Sequence, residues 1–295
     1  MHQPQVFCVI VAYRPRERVL RAVLDSISGQ AAHVIVVDNT ERGTPPPDVA
    51  PARYLPLGQN MGIGAAQNKG IALALSEGAD YIWLSDQDTI YPPGFLSRML
   101  AAAATCNARG IRFAALAPAF FDTLAGQVRP FIRHAPFIRA FPPPPGPTPV
   151  ADAIASGTLI PAEALRSVGL MREDLFIDWV DIEWCWRARN LHGLQVVGIG
   201  DVVIQHALGD GLVAFRGRKI TMRSPLRHYY IIRNAIYLAI YSNSTTLPIR
   251  LQIAFRALVW TAGYPIIAPA GKWDHFRACC RGLLDGLTRR MGQRA

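Results

Sequence analysis

Tyr81-Ile82-Trp83-Leu84-Ser85-Asp86-Gln87-Asp88, closed by Pro92-Pro93-Gly94, is the stretch from which the fold of this chain is read. The apolar run is short enough for a buried strand, and the Pro-Pro-Gly that follows stops it. Asp86 and Asp88 then stand at the C-terminal mouth of a strand, where open α/β sheets bind ligands. Hard oxygen donors, completed by phosphate, are what Mg²⁺ or Mn²⁺ prefers. Taken alone, the triplet equally fits a turn whose aspartates cap the next helix.

Working outward, strand and helix patterns alternate on both sides. Val6–Ala12 reads as a buried strand and Arg16–Ser28 as an amphipathic helix. Strands at His33–Val37 and Arg53–Leu57 precede a small-residue helix over Ile63–Ser76. A helix over Gly94–Cys106 and a strand at Phe113–Ala117 follow. This βαβ alternation predicts an α/β chain with a doubly wound, mostly parallel sheet. Beyond an extended loop, Pro142–Pro147, we expect a short strand near Ile154 and a helix over Pro161–Val168. An acidic helix over Trp179–Leu191 and a strand pair between Leu194 and His206 complete the pattern.

A chain of 295 residues, 51% hydrophobic, can bury one large domain and a smaller appendage. Its start has no basic-then-apolar secretory pattern, and five cysteines without metal spacing suit reduced thiols in the cytoplasm. Charge is divided unevenly. Residues 214–295 hold 14 of the 31 Lys/Arg but only two of the 21 acids, Asp274 and Asp285. We therefore expect two parts, 1–215 and a basic, apolar helical region over 216–295. Between Arg256 and Lys272 lie 15 uncharged residues, interrupted by Pro265 and Pro269. That is shorter than the roughly 18–20 residues of a membrane span. The tail is expected to lie on an anionic membrane surface at its inner face, with a helical subdomain or homo-oligomer contact as the alternative. Its arginines interleave with apolar residues instead of forming a polar stripe, so no nucleic acid is expected.

Further candidate residues cluster at predicted strand ends. Val11-Ala12-Tyr13 and Asp38-Asn39 end the first two strands; an acid there can bind a base or ribose, although Asp-Asn is also a common turn pair. Asn60-Met61-Gly62 through Asn68-Lys69-Gly70 opens a helix with glycines that permit close approach of backbone or ligand. It is neither a Walker loop nor a dinucleotide fingerprint. Asp178, Asp181 and Glu183 sit among Trp179, Trp184 and Trp186. Asp178 and Asp181, three apart, should share a helix face and crowd, raising one pKa. Such a carboxylate could act as general base, and Trp179 and Trp184 offer flat faces to a sugar; acids that merely satisfy a helix N-terminus are the alternative. His206 ends a strand and could be a third metal ligand.

In this order, these motifs resemble the inverting glycosyltransferase family 2, which has the GT-A fold. The resemblance spans roughly residues 5 to 210. Leu84–Thr89, Phe176–Trp184 and Tyr229-Tyr230-Ile231-Ile232-Arg233-Asn234 look most like its bacterial dTDP-rhamnosyltransferase branch.

The resemblance implies a dTDP-L-rhamnose donor and a saccharide or polyprenyl-diphosphate-linked acceptor for cell-envelope polysaccharide. It places Ala12, Tyr13, Asp38, Asn60, Gly62, Asn68, Asp86 and Gln87 at the donor, and Asp88 and His206 on Mg²⁺ or Mn²⁺. Asp181 becomes the catalytic base, with Asp178, Trp179, Glu183 and Trp184 orienting sugar or acceptor. Ala12 departs from the Thr or Ser of many members and loses a hydroxyl contact. Two other readings compete: a non-catalytic nucleotide-sugar-binding scaffold, and a UDP-hexose transferase. A nucleotidyltransferase would want a glycine-rich basic loop where Tyr13-Arg14-Pro15-Arg16 stands.

Overall fold

The apolar character of Val6–Ala12 at every position, with no polar alternation, has a structural cause: this strand is covered on both faces. A computed structural model describes residues 4–31, 33–43, 47–134, 136–206, 209, 211–215 and 218–294. The elements run β1 (Val6–Ala12), α1 (Glu17–Ile27), β2 (His33–Asp38), β3 (Arg53–Pro56), α2 (Ile63–Ser76), β4 (Tyr81–Asp86), α3 (Phe95–Ala108) and β5 (Phe113–Asp122). Short strands follow: β6 (Gln127–Val128), β7 (Phe131–His134), β8 (Ile138–Phe141), β9 (Pro147–Val150) and β10 (Leu159–Pro161). Next come α4 (Ala162–Val168), a 3-10 turn at Glu173–Leu175, α5 (Val180–His192) and β11 (Gln195–His206). A hairpin, β12 (Gly211–Phe215) and β13 (Arg218–Met222), leads to α6 (Pro225–Tyr241), α7 (Leu247–Ile267) and α8 (Lys272–Leu287).

Nine strands form the main sheet in the order β3-β2-β1-β4-β10-β5-β11-β9, with β6 on β5. β1, β2, β3 and β4 are mutually parallel, as are β5 and β11. β10 runs against both β4 and β5, and β9 against β11. Period-2 side-chain alternation splits β1 between two cores. Phe7, Val9 and Val11 pack in one with Ala66, Ile71 and Ala74 of α2. Val6, Cys8 and Ile10 pack in the other with Leu20, Val23 and Ile27 of α1 and Met99 of α3. Gly70 brings α2 onto the sheet, because a Cβ there would stand 2.3 Å from Val9.

The structure departs from the sequence pattern in three places. No strand forms near Ile154: residues 151–157 turn between β9 and β10, and Gly157 has φ +79°. The expected strand pair before His206 is one strand, β11, with a register irregularity between Ile199 and Val203. Gly200 lies in that irregularity against the Pro142–Pro147 segment, and a Cβ there would meet Pro144 O at 2.0 Å. Pro265 does not interrupt α7, which continues to Ile267. The expected boundary at residue 215 falls within the hairpin β12–β13. Among the described residues, no helix is long and apolar enough to cross a membrane.

The C-terminal helices act as a clamp. Ser224 caps α6 by accepting from Arg227 N, with Pro225 next. Gly282 and Gly286 let α8 lie on the α6 backbone, since a Cβ at either would come within 2.6 Å of Tyr229 O or Arg233 O. Fully buried Arg233 donates to Leu175 O at 2.8 Å and to Asp174 O at 3.2 Å. Asn234 Nδ2 donates to the carbonyls of Leu175, Ile177 and Asp178. The Tyr-Tyr-Ile-Ile-Arg-Asn motif therefore holds the segment that delivers α5.

Candidate active site

Asp86 closes β4 directly opposite Val11 of β1, so its carboxylate stands at the parallel mouth of the sheet. The chain turns through Gln87 and Asp88, and Ile90 pairs with Gln205 through two backbone hydrogen bonds of 3.0 and 3.1 Å. That bridge ties the exit of β4 to the end of β11 and sets His206 beside Asp88. Ligand atoms of Asp86, Asp88 and His206 all lie within 4.8 Å of one another. His206 Nδ1 is 3.7 Å from Asp88 Oδ1. Desolvation and then the charge of Asp86 hold the Asp88 carboxyl above its ordinary pKa.

Two hydroxyls that sequence reasoning missed link this cluster. Ser156 Oγ donates to Asp86 Oδ2 at 2.5 Å, because a carboxylate only accepts. Thr89 must then donate to Ser156, at 3.0 Å, and its oxygen is left to accept from His206 Nδ1, also at 3.0 Å. The chain of donation places the imidazole proton on Nδ1 and leaves Nε2 with its lone pair. Nothing in the sequence marks Ser156, which reaches Asp86 from 70 residues away.

Asp181 is in the first turn of α5, the helix that the clamp positions. The backbone before it is strained, with φ of +63°, +63° and +69° at Phe176, Asp178 and Trp179. Asp181 Oδ1 accepts from Ile182 N at 2.9 Å, and Oδ2 from Ala155 N at 3.2 Å. Burial pushes its carboxyl up to about 6, aided by the charges of Asp86 and Asp152. One of the acidic pair is indeed raised, but not by the other. Asp178 precedes the helix, and although burial opposes it, Arg227 and Arg223 hold its pKa below the ordinary value. Arg227 grips Asp178 through two bonds of 2.7 and 2.8 Å, and Arg223 pairs with it as well.

The remaining sequence candidates divide. Trp179 is half-buried and donates to Ile231 O at 3.1 Å. Trp184 is 1% exposed and donates to Gly169 O, and buried Glu183 pairs with Arg187 at 3.3 Å. Both side chains are buried, so neither offers a surface to a sugar. Asn68 spends its amide on Met171 and Glu173, and Gly62 and Gly64 admit the backbone of Phe176 and Arg172. The close approach foreseen for these glycines is therefore made by the protein's own chain. Asn60 Oδ1 accepts from Asn39 Nδ2 and Gly62 N.

At the other rim, Ala12 is buried and Tyr13 is 37% exposed. Gln87 Oε1 accepts from Tyr13 N at 2.8 Å and Nε2 donates to Tyr13 O, stitching the β1 and β4 exits together. Asp38 accepts from Tyr54 OH at 2.7 Å and from Thr40 N, so its carboxylate is anchored beside the mouth of β1.

This arrangement has relatives. The sequence profile "Glycosyl transferase family 2" matches residues 8–115. The dTDP-rhamnosyl transferase RfbF of Shigella flexneri is 32% identical over 289 residues, covering 96% of this chain and 95% of that protein. This chain belongs to glycosyltransferase family 2. The enzyme also matches the galactofuranosyltransferase GlfT1 of Mycolicibacterium smegmatis, at 34% identity over 30% of the chain and 32% of the relative. Among solved structures, GalNAc-T7 with UDP, GalNAc and Mn²⁺ aligns over 97% of the chain with a TM-score of 0.58 and 11% identity. S. aureus TarS aligns over 96%, with a TM-score of 0.52 and 12% identity. The glycosyltransferase spans about half of each of those two chains, 56% and 54%. The fold is GT-A, as the motif order implied.

Proposed function

We propose that this glycosyltransferase moves L-rhamnose from dTDP-L-rhamnose to a saccharide or polyprenyl-diphosphate-linked saccharide, with inversion, in envelope polysaccharide synthesis. The observation that carries the reading is the convergence of Asp86, Asp88 and His206 within 4.8 Å, with Asp181 electrostatically coupled to Asp86. The near full-length likeness to a dTDP-rhamnosyl transferase supports the choice of donor.

Two carboxylates and an imidazole suit Mg²⁺ or Mn²⁺. Asp86, Asp88 and His206 would hold it, and when bound it supplies positive charge against the donor's diphosphate. Asp38 and the Tyr13–Gln87 stitch form the side of the cleft assigned to base and ribose. Asp181, with its carboxyl at about 6, is ionised at neutral pH yet basic enough to accept a proton. It takes the acceptor hydroxyl's proton as that oxygen attacks the anomeric carbon opposite the diphosphate. One carboxylate in proton transfer is enough, whereas glycoside hydrolysis needs two.

The enzyme is further assigned to the inner face of the cell membrane. Leu247, Leu251, Phe255 and Ile266 of α7 and Trp273 of α8 are each more than 60% exposed. They lie among the basic residues of the tail, as an anionic lipid surface would require. Sedimentation with anionic vesicles at low salt checks this; a soluble dimer built on α7 would replace lipid with a second copy.

Thermal shift against dTDP-L-rhamnose, UDP-glucose, UDP-galactose and GDP-mannose, with and without Mg²⁺ or Mn²⁺, tests the donor. dTDP-L-rhamnose should stabilise most, and more with metal. The preference should be roughly tens- to hundreds-fold, since one methyl or hydroxyl discriminates only moderately. A UDP-hexose binding best would remove the rhamnose assignment.

A further inference from the structure

Segment 151–155 lies along the face of α5 that carries Asp181. Ala155 N donates to Asp181, Trp186 Nε1 to Asp152 Oδ2 at 3.3 Å, and Arg189 to Ala151 O at 3.2 Å. From β7, His134 reaches the same place, its ring centroid 5.6 Å from that of Trp186. Trp186 in turn meets the edge of Trp179 at 5.9 Å. The His134 side chain is only 9% exposed, and among the described residues its Nε2 has no hydrogen-bond partner. Asp152 Oδ2 lies 3.9 Å away, too far for a hydrogen bond. A buried polar nitrogen without a partner costs stability, and native proteins rarely leave one unless something else satisfies it.

The missing partner can be described chemically. Burial, then Arg189, holds His134 down to about 4, so the imidazole is neutral at physiological pH. Burial also raises Asp152, to about 6, so at pH 7 it is mostly an acceptor-only carboxylate. With the neutral ring's proton on Nε2, a group standing within reach of both accepts from the imidazole N–H and donates to the carboxylate. A hydroxyl does both. A carboxylate has no proton to donate to Asp152, and an ammonium cannot accept from an imidazole N–H.

We propose that His134 and Asp152 form the acceptor subsite, holding one hydroxyl of the acceptor sugar between Nε2 and Oδ2 while half-buried Trp179 flanks the ring. This rests on the transferase reading above, and it assigns to Asp152 and His134 the orientation of the hydroxyl that Asp181 deprotonates. They are positioning residues: they touch the acceptor but take no part in proton transfer. A single ordered water satisfies the same two atoms, and the experiment separates it from a sugar.

The full-length enzyme, saturated with dTDP, is titrated with octyl glycosides of glucose, galactose, N-acetylglucosamine and L-rhamnose, and tryptophan fluorescence is followed. At least one glycoside should bind saturably. Asp152→Asn and His134→Phe should each weaken it by about tenfold or more, the scale of a lost hydrogen bond to a charged group. Thermal stabilisation by dTDP, read on the same samples, should be unchanged. In the wild type, the His134 ring ¹⁵N resonances should move on saturation with the glycoside, a readout that needs no variant. No glycoside binding, or binding with both variants and the His134 resonances unmoved, overturns the subsite and leaves a water site. Failure of the underlying donor reading would show separately, as absence of dTDP stabilisation in the wild type.

Discussion

The cleft and the helical clamp treat carboxylates in opposite ways. In the clamp each is neutralised by arginine: Asp178 by Arg223 and Arg227, and Asp285 by Arg281 at 2.9 Å with Arg290 at 4.0 Å. In the cleft, Asp86, Asp88, Asp152 and Asp181 have no Lys or Arg ion pair among the described residues, and are held by hydroxyls, backbone N–H groups, an indole or an imidazole. Satisfied charge fixes structure, while charge left uncompensated at a strand mouth is available to a cation, a proton or a substrate. Asp178 and Asp181 are three residues apart, and they fall on opposite sides of this division.

The largest effect should come from breaking a clamp pair. Asp178→Ala leaves two arginines, 18% and 32% exposed, facing an emptied site. Removing one partner of a buried pair costs about 3–5 kcal/mol. Urea denaturation should show a loss of that size; a variant as stable as the wild type would show that the arginines find water and that the clamp is not electrostatic.

Asp181→Asn should keep donor binding and lose turnover by about 10²-fold or more, as for removal of a general base. Wild-type turnover should fall as pH drops below about 6, where the Asp181 carboxyl takes up its proton. A normal rate in this variant would move the base to another carboxylate of the cleft.

The same substitution should stabilise the fold, which sharpens the contrast with Asp178. The folded pKa of Asp181 is raised from 3.8 to about 6, so the native state holds the proton through a window where the unfolded chain has lost it. Stability falls as pH rises through that window, the cost is complete above it, and it vanishes below about 3.8. Asp181→Asn should therefore gain up to about 3 kcal/mol at pH 7.5 and nothing at pH 3.5. Equal unfolding midpoints at both pH values would mean that Asp181 ionises without strain.

The smallest effect belongs to Arg290→Ala. Its side chain is 69% exposed and 4.0 Å from a carboxylate that Arg281 and Tyr229 already satisfy. A change within about 0.5 kcal/mol is expected, as for exposed pairs generally. A loss of several kcal/mol would place Arg290 in the clamp proper.

Much of this enzyme could be read along the chain, because strands and helices follow from periodicity over a few neighbouring residues. The apolar run of β1, the small-residue helix Ile63–Ser76 and the Asp86-Gln87-Asp88 turn are of this kind, and their order was enough to identify the family. Roles that depend on a partner across the fold were not legible. Asn68 looked like a donor ligand, but it holds Met171 and Glu173 more than 100 residues away. Trp184 looked like a sugar platform, but α5 turns it into the core beneath Gly169. The Tyr229–Asn234 motif was visible as a likeness, and only packing gave it work: holding a left-handed segment in place so that Asp181 enters the cleft. Sequence determined which carboxylates the chain carries and on which kind of element each one sits. Tertiary structure decided which of them meet an arginine and which remain unpaired, because a carboxylate's charge state depends on the burial and partners that distant segments bring to it.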